Sequence, residues 1–76
     1  MDDKLKQEKK VMWQKKLTEL ERELEAIMLR RGEAAAEGDL SENAAYKMAS
    51  EDADTYRARI AEVKKILDVL EKGEKS

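Results

Sequence analysis

Asp39 and Glu42 are the side chains of this chain best placed, by type and spacing, to do chemistry. Two carboxylates three residues apart at a turn offer hard oxygen donors to a magnesium ion. Such an ion keeps several waters and is usually held by one or two carboxylates, with the rest of its shell coming from phosphates or a partner. On their own the two residues would not hold it tightly, so the chemistry they suggest is completing a metal site that belongs to another molecule. A second reading stands beside this one. Asp39 as N-cap and Glu42 three residues later are spaced like a capping box, and acids at a helix start are favoured by its dipole. Spacing alone leaves both open.

Composition narrows what else the chain can do. Its 76 residues contain no cysteine and no histidine, which removes thiolate and imidazole nucleophiles, disulfides and nearly every zinc-site design. With 45% charged residues, 4% aromatic residues and no proline, it reads as long solvated helices, with no pocket to shift a carboxylate or lysine pKa into a catalytic range. An enzyme in its own right is therefore not expected. The net charge is only -2, with acids and bases interleaved, so no bulk field for non-specific nucleic-acid binding is expected. No apolar run reaches membrane-spanning length, and the charged start Met1-Asp2-Asp3-Lys4 lacks a signal-peptide core. A soluble, cytoplasmic protein is expected.

The elements that would carry the two acids follow from hydrophobic spacing. Trp13, Leu17, Leu20, Leu24 and Ile27 recur at fours and threes, the seam of a coiled coil, which weakens at Arg31 and Ala34. A second seam runs through Tyr46, Ala49, Ala53, Tyr56, Ile60, Val63, Leu67 and Leu70. Between them Gly38, the most central of three glycines, suits a left-handed helix C-cap. The expected fold is all-α: one domain over residues 1–76, a long antiparallel two-helix coiled-coil hairpin with an acidic tip. Helix 1 should run from about 5 to 36, the tip over 37–41, and helix 2 from about 42 to 72. Residues 1–10 read as a frayed extension or disorder, and residues 71–76 as a frayed end or linker.

An antiparallel hairpin must pair residues whose numbers add to a constant. Ile27 with Ala53, Leu24 with Tyr56, Leu20 with Ile60, Leu17 with Val63 and Trp13 with Leu67 each add to 80, centring the turn on Leu40. On the flanks, Glu23 with Arg59, Arg30 with Asp52, and Glu21 with Arg57 are of opposite sign and expected to face each other. Small residues (Ala34, Ala45, Ala49, Ala53) fill the seam near the tip, so the point of the rod should be slim. Arms of roughly 30 residues would each be about 45 Å long. Trp13 and Tyr56 are expected to close hydrophobic layers, with partner docking as the alternative.

The stretch Glu37-Gly38-Asp39-Leu40-Ser41-Glu42-Asn43-Ala44-x-Tyr46 resembles the loop of the N-terminal coiled-coil domain of the Gre family of bacterial transcript cleavage factors, and the likeness extends over nearly the whole chain. The resemblance implies a hairpin that enters the secondary channel of RNA polymerase. There Asp39 and Glu42 would help bind a catalytic Mg2+, shared with the polymerase, and the water that cleaves backtracked RNA. It implies that Leu40, Ser41, Asn43 and Tyr46 shape the polymerase-contacting tip, and that Lys47 lies toward the RNA 3' end. Ser50 stands where an arginine is common in the family. Arg30 and Arg31 are candidate substitutes, with a flank ion pair for Arg30 and a solvated seam break for Arg31 as the alternatives. The chain ends before the family's second, FKBP-like domain, so weaker binding is expected. Three functions follow: a transcript cleavage module, a channel-occupying modulator or inhibitor of the polymerase, or a structural coiled coil with weak self-association.

Overall fold

The computed structural model describes residues 3–72. Helix α1 spans Asp3–Ala36, a single 3-10 turn spans Leu40–Glu42, and helix α2 spans Ala44–Lys72. The segment expected to fray is helical from Asp3 onward, so α1 reaches further than its apolar seam. Of the tail expected over residues 71–76, Glu71 and Lys72 belong to α2, and residues 73–76 lie outside the described residues.

The two helices pack side by side into a rod of 55 × 19 × 12 Å. Its radius of gyration is 17.1 Å, against about 11 Å for a compact domain of this length. The seam is laid out in the register given by the constant of 80. Leu17, Leu20, Ile60 and Val63 form one buried cluster, with Trp13, Leu24, Tyr56 and Leu67 packed against it. Ile27, Ala49 and Ala53 form a second cluster nearer the turn, flanked by Leu24, Met28 and Tyr56. The first cluster is made of branched aliphatic side chains and the second is mostly alanine. Dispersion and apolar burial are therefore concentrated away from the turn. Ala34 is buried as expected, whereas Ala45 is exposed and takes no part in the seam.

None of the three expected flank pairs forms an ion pair among the described residues. The Tyr56 phenol lies in the way of the first. Its hydroxyl donates to Glu23 Oε2 at 3.3 Å, and the Arg59 guanidinium sits 5.1 Å from its ring centroid. Both charged groups thus engage the aromatic between them. Arg57 turns back along its own helix to Asp54 at 3.5 Å and touches Met28 Sδ at 3.5 Å, leaving Glu21 unengaged. Between the helices Lys10 pairs with Glu71 at 3.8 Å, near the open end. Exposed pairs of this kind contribute little energy.

Candidate functional site

The chain reverses through two consecutive left-handed residues. Gly38 has φ 85°, and Asp39 has φ 46° and ψ 63°. Glycine adopts that region without steric cost, and aspartate tolerates it better than most residues. The end of α1 tightens beforehand, with the Glu37 amide donating to Ala34 O and the Gly38 amide to Ala35 O, each at 3.1 Å. After the reversal, the Glu42 amide donates to Asp39 O at 3.1 Å and the Asn43 amide to Leu40 O at 3.3 Å, closing the 3-10 turn. Backbone hydrogen bonds therefore close the chain on both sides of the reversal.

The capping box suggested by Asp39 and Glu42 does not form. Asp39 makes no side-chain cap hydrogen bond, and α2 begins later, at Ala44. Its N-cap is Asn43, whose backbone is extended and whose Oδ1 accepts the Tyr46 amide at 3.0 Å. The reason is geometric. Two left-handed residues and a 3-10 turn consume residues 38–42, so the first residue free to cap a helix is Asn43. The same side chain reaches across the hairpin, where Nδ2 donates to Ala34 O at 2.7 Å, a second bond on a carbonyl that also accepts the Glu37 amide.

Both acids are consequently free of the backbone. Residues 36–42 are all exposed. Asp39 Oδ1 accepts only the Ser41 hydroxyl, at 3.2 Å, and the Glu42 carboxylate has no hydrogen bond or ion pair among the described residues. Leu40, 43% exposed, stands between them at the apex. No group of three or more potential metal-ligating side chains occurs among the described residues. Two exposed carboxylates and no third fit a magnesium ion whose other ligands are water and a partner, and do not fit a site closed within this chain.

Below the apex, the other residues singled out in the sequence are distributed unevenly. Lys47 and Arg30 are exposed and have no side-chain partner among the described residues. Arg31 is engaged. Its Nε donates to Ser50 Oγ at 2.8 Å, its Nη2 donates to Tyr46 Oη at 2.7 Å, and its guanidinium lies 4.8 Å from the Tyr46 ring centroid. It is neither a flank charge nor a solvated break in the seam. Sequence reasoning missed this contact, although a signal for it was present: Arg31 continues the seam spacing from Ile27 to Ala34, and the constant of 80 sets it opposite Ala49, with Tyr46 and Ser50 as near neighbours.

The hairpin also separates charge that looks interleaved along the chain. Residues 26–54, which make up the tip end in this register, carry seven acids and three bases, Arg30, Arg31 and Lys47, whereas residues 4–16 at the open end carry six lysines and one acid, Glu8. The small net charge conceals a rod with a negative point and a positive base. A shallow groove of about 630 Å³ lies on the body of the rod, lined by residues that include Trp13, Leu20, Ala58, Arg59 and Ile66. It is remote from the acids. No helix among the described residues is long and apolar enough to cross a membrane.

Comparison with curated proteins and with solved structures returned no significant match. A family model described as the N-terminal domain of the transcription elongation factors GreA and GreB matches residues 3–71, which takes in both helices and the tip. The match thus spans the rod built on one two-helix seam and the exposed acidic loop at its point, and the chain belongs to the GreA/GreB N-terminal domain family.

Proposed function

We propose that this domain serves as a transcript cleavage module of bacterial RNA polymerase in the cytoplasm, inserting tip first into the secondary channel. At the polymerase active site Asp39 and Glu42 supply oxygen donors to a shared Mg2+. That ion, when bound, activates a water for hydrolysis of the RNA phosphodiester in a backtracked complex. Leu40, Ser41 and Asn43 form the surface that meets the polymerase, with Tyr46 beneath them. Lys47 and Arg30 are the cations near the tip left free to approach RNA phosphates. The catalytic machinery is the polymerase's own, so the domain is an accessory factor.

The observation that carries this reading is that both acids stand exposed at the end of a rod 55 Å long and are not used to cap α2. A structural acid pair would be bonded to backbone amides. These two are held out to solvent, Asp39 on a left-handed backbone and Glu42 at the end of the 3-10 turn, where a metal shared with a partner could reach them.

The test is RNA cleavage in a backtracked elongation complex with magnesium, comparing the native domain with Asp39→Asn combined with Glu42→Gln. Asparagine keeps the left-handed backbone at 39, so the loop is retained while the charges are lost. The native domain is expected to produce shortened RNA with a new 3' end, and the variant none above background. No stimulation by the native domain at any concentration, or equal stimulation by both, overturns the reading. Slowed nucleotide addition without cleavage products would instead identify a channel-occupying modulator.

A further inference from the structure

We infer that Arg31 is the positioning residue of the tip: acting through Tyr46, it fixes the rotation of the start of α2 against the end of α1 and so sets where Asp39 and Glu42 stand. This rests on the cleavage function proposed above for its activity readout, but not for its structural one.

A closed circuit of directional contacts lies beneath the loop. Arg31 donates to Tyr46 Oη at 2.7 Å and to Ser50 Oγ at 2.8 Å. The Tyr46 amide is held by Asn43 Oδ1 at 3.0 Å, and Asn43 Nδ2 returns to α1 at Ala34 O, 2.7 Å away. Arg31 and Ala34 are a turn apart on the same helix, so the path leaves α1, crosses to α2, and comes back. Apolar support thins toward the loop. Beyond the layer of Ile27 and Ala53 the buried seam residues are Ala34 and Ala49, side chains too small to interdigitate and define a rotation. A planar guanidinium, by contrast, fixes both distance and angle, and its stacking on the Tyr46 ring at 4.8 Å adds a third restraint. A polar residue at a seam position characteristically specifies register in coiled coils. Here it sits one layer below the functional loop, and its donors are directed inward to the partner helix.

The proposal separates tip order from hairpin stability, and two variants exploit this. Arg31→Leu puts an ordinary seam residue opposite Ala49, so the rod should remain folded while the circuit is lost. Tyr46→Phe removes a single oxygen and keeps the ring. Amide hydrogen exchange on the full chain reads the tip directly. In Arg31→Leu the Tyr46 amide should exchange about tenfold faster, the amides around Ile60 should be unchanged, and Tyr46→Phe should shift the Tyr46 amide in the same direction by less. In the backtracked complex, Arg31→Leu should lower the cleavage rate at saturating protein by roughly tenfold or more while the half-saturating concentration stays within about twofold, the signature of misplaced acids on a rod that still binds.

Unchanged exchange at Tyr46 in both variants overturns the inference, as does faster exchange with no fall in the maximal cleavage rate. If the native domain fails to stimulate cleavage while Arg31→Leu still loosens Tyr46, the cleavage reading falls and the positioning role of Arg31 stands.

Discussion

The two ends of this rod are built from the same two helices by different means. At the open end, Leu17, Leu20, Ile60 and Val63 are buried together with Trp13 and Leu67 against them, and lysines dominate the surface. Toward the tip the seam narrows to alanines, and acids dominate. There the helices are joined by polar contacts from Arg31 and Asn43 that have fixed directions. Apolar burial is strong but tolerant of rotation, whereas hydrogen bonds add little net energy but demand one geometry. The base therefore supplies cohesion and the tip supplies placement. A slim, alanine-lined point is ordered without bulk, as the proposed insertion into a channel would need.

This division can be broken most severely at the base. Leu20→Ala, at a site 3% exposed, should cost about 2–5 kcal/mol and unfold much of the population, since a lone helical pair has little stability to lose. Thermal melting followed by circular dichroism measures this, and a small loss would mean that cohesion does not reside there. Asn43→Ala comes next. Losing the α2 cap and the tie to Ala34 should lower stability by about 1–2 kcal/mol. Exchange at the Tyr46 amide should rise with it, and a loss confined to global melting would blur the contrast. At Gly38 an added Cβ would meet nothing within 4 Å, so the cost of Gly38→Ala is that of the φ of 85° alone, about 1 kcal/mol by chemical denaturation. A much larger cost would show that the loop is more tightly packed than its exposure implies. Smallest is Lys10→Ala, which severs the exposed contact to Glu71 and should change stability by less than about 0.5 kcal/mol.

Much of the base was legible in the sequence because its physics is periodic. Leu20 with Ile60 and Leu17 with Val63 had to meet once two seams flanked one central glycine, and each pair shares a buried cluster. The tip was legible only in outline. Gly38 marked the reversal, but Asp39, Ser41 and Asn43 lie within five residues and each is a good N-cap, while aspartate is also a good left-handed residue. Which one caps depends on how many residues the turn consumes, and spacing does not reveal that. Arg31 reads as a weakness of the seam because a heptad counts only apolar positions. Its partners, two hydroxyls on the other helix, become visible only when the register is applied to polar side chains as well. The flank pairs failed for a related reason: charge complementarity specified Glu23 and Arg59 as neighbours but not that Tyr56 would intervene.

The central claim is that the exposed carboxylates of Asp39 and Glu42 complete a metal site in a larger machine, and a magnesium titration of RNA cleavage in a backtracked polymerase complex tests it most directly. With saturating native domain, half-maximal cleavage should require less magnesium than with the Asp39→Asn, Glu42→Gln variant, because the shared metal would gain ligands only from the native tip. Superimposable magnesium curves for the two proteins would contradict the account.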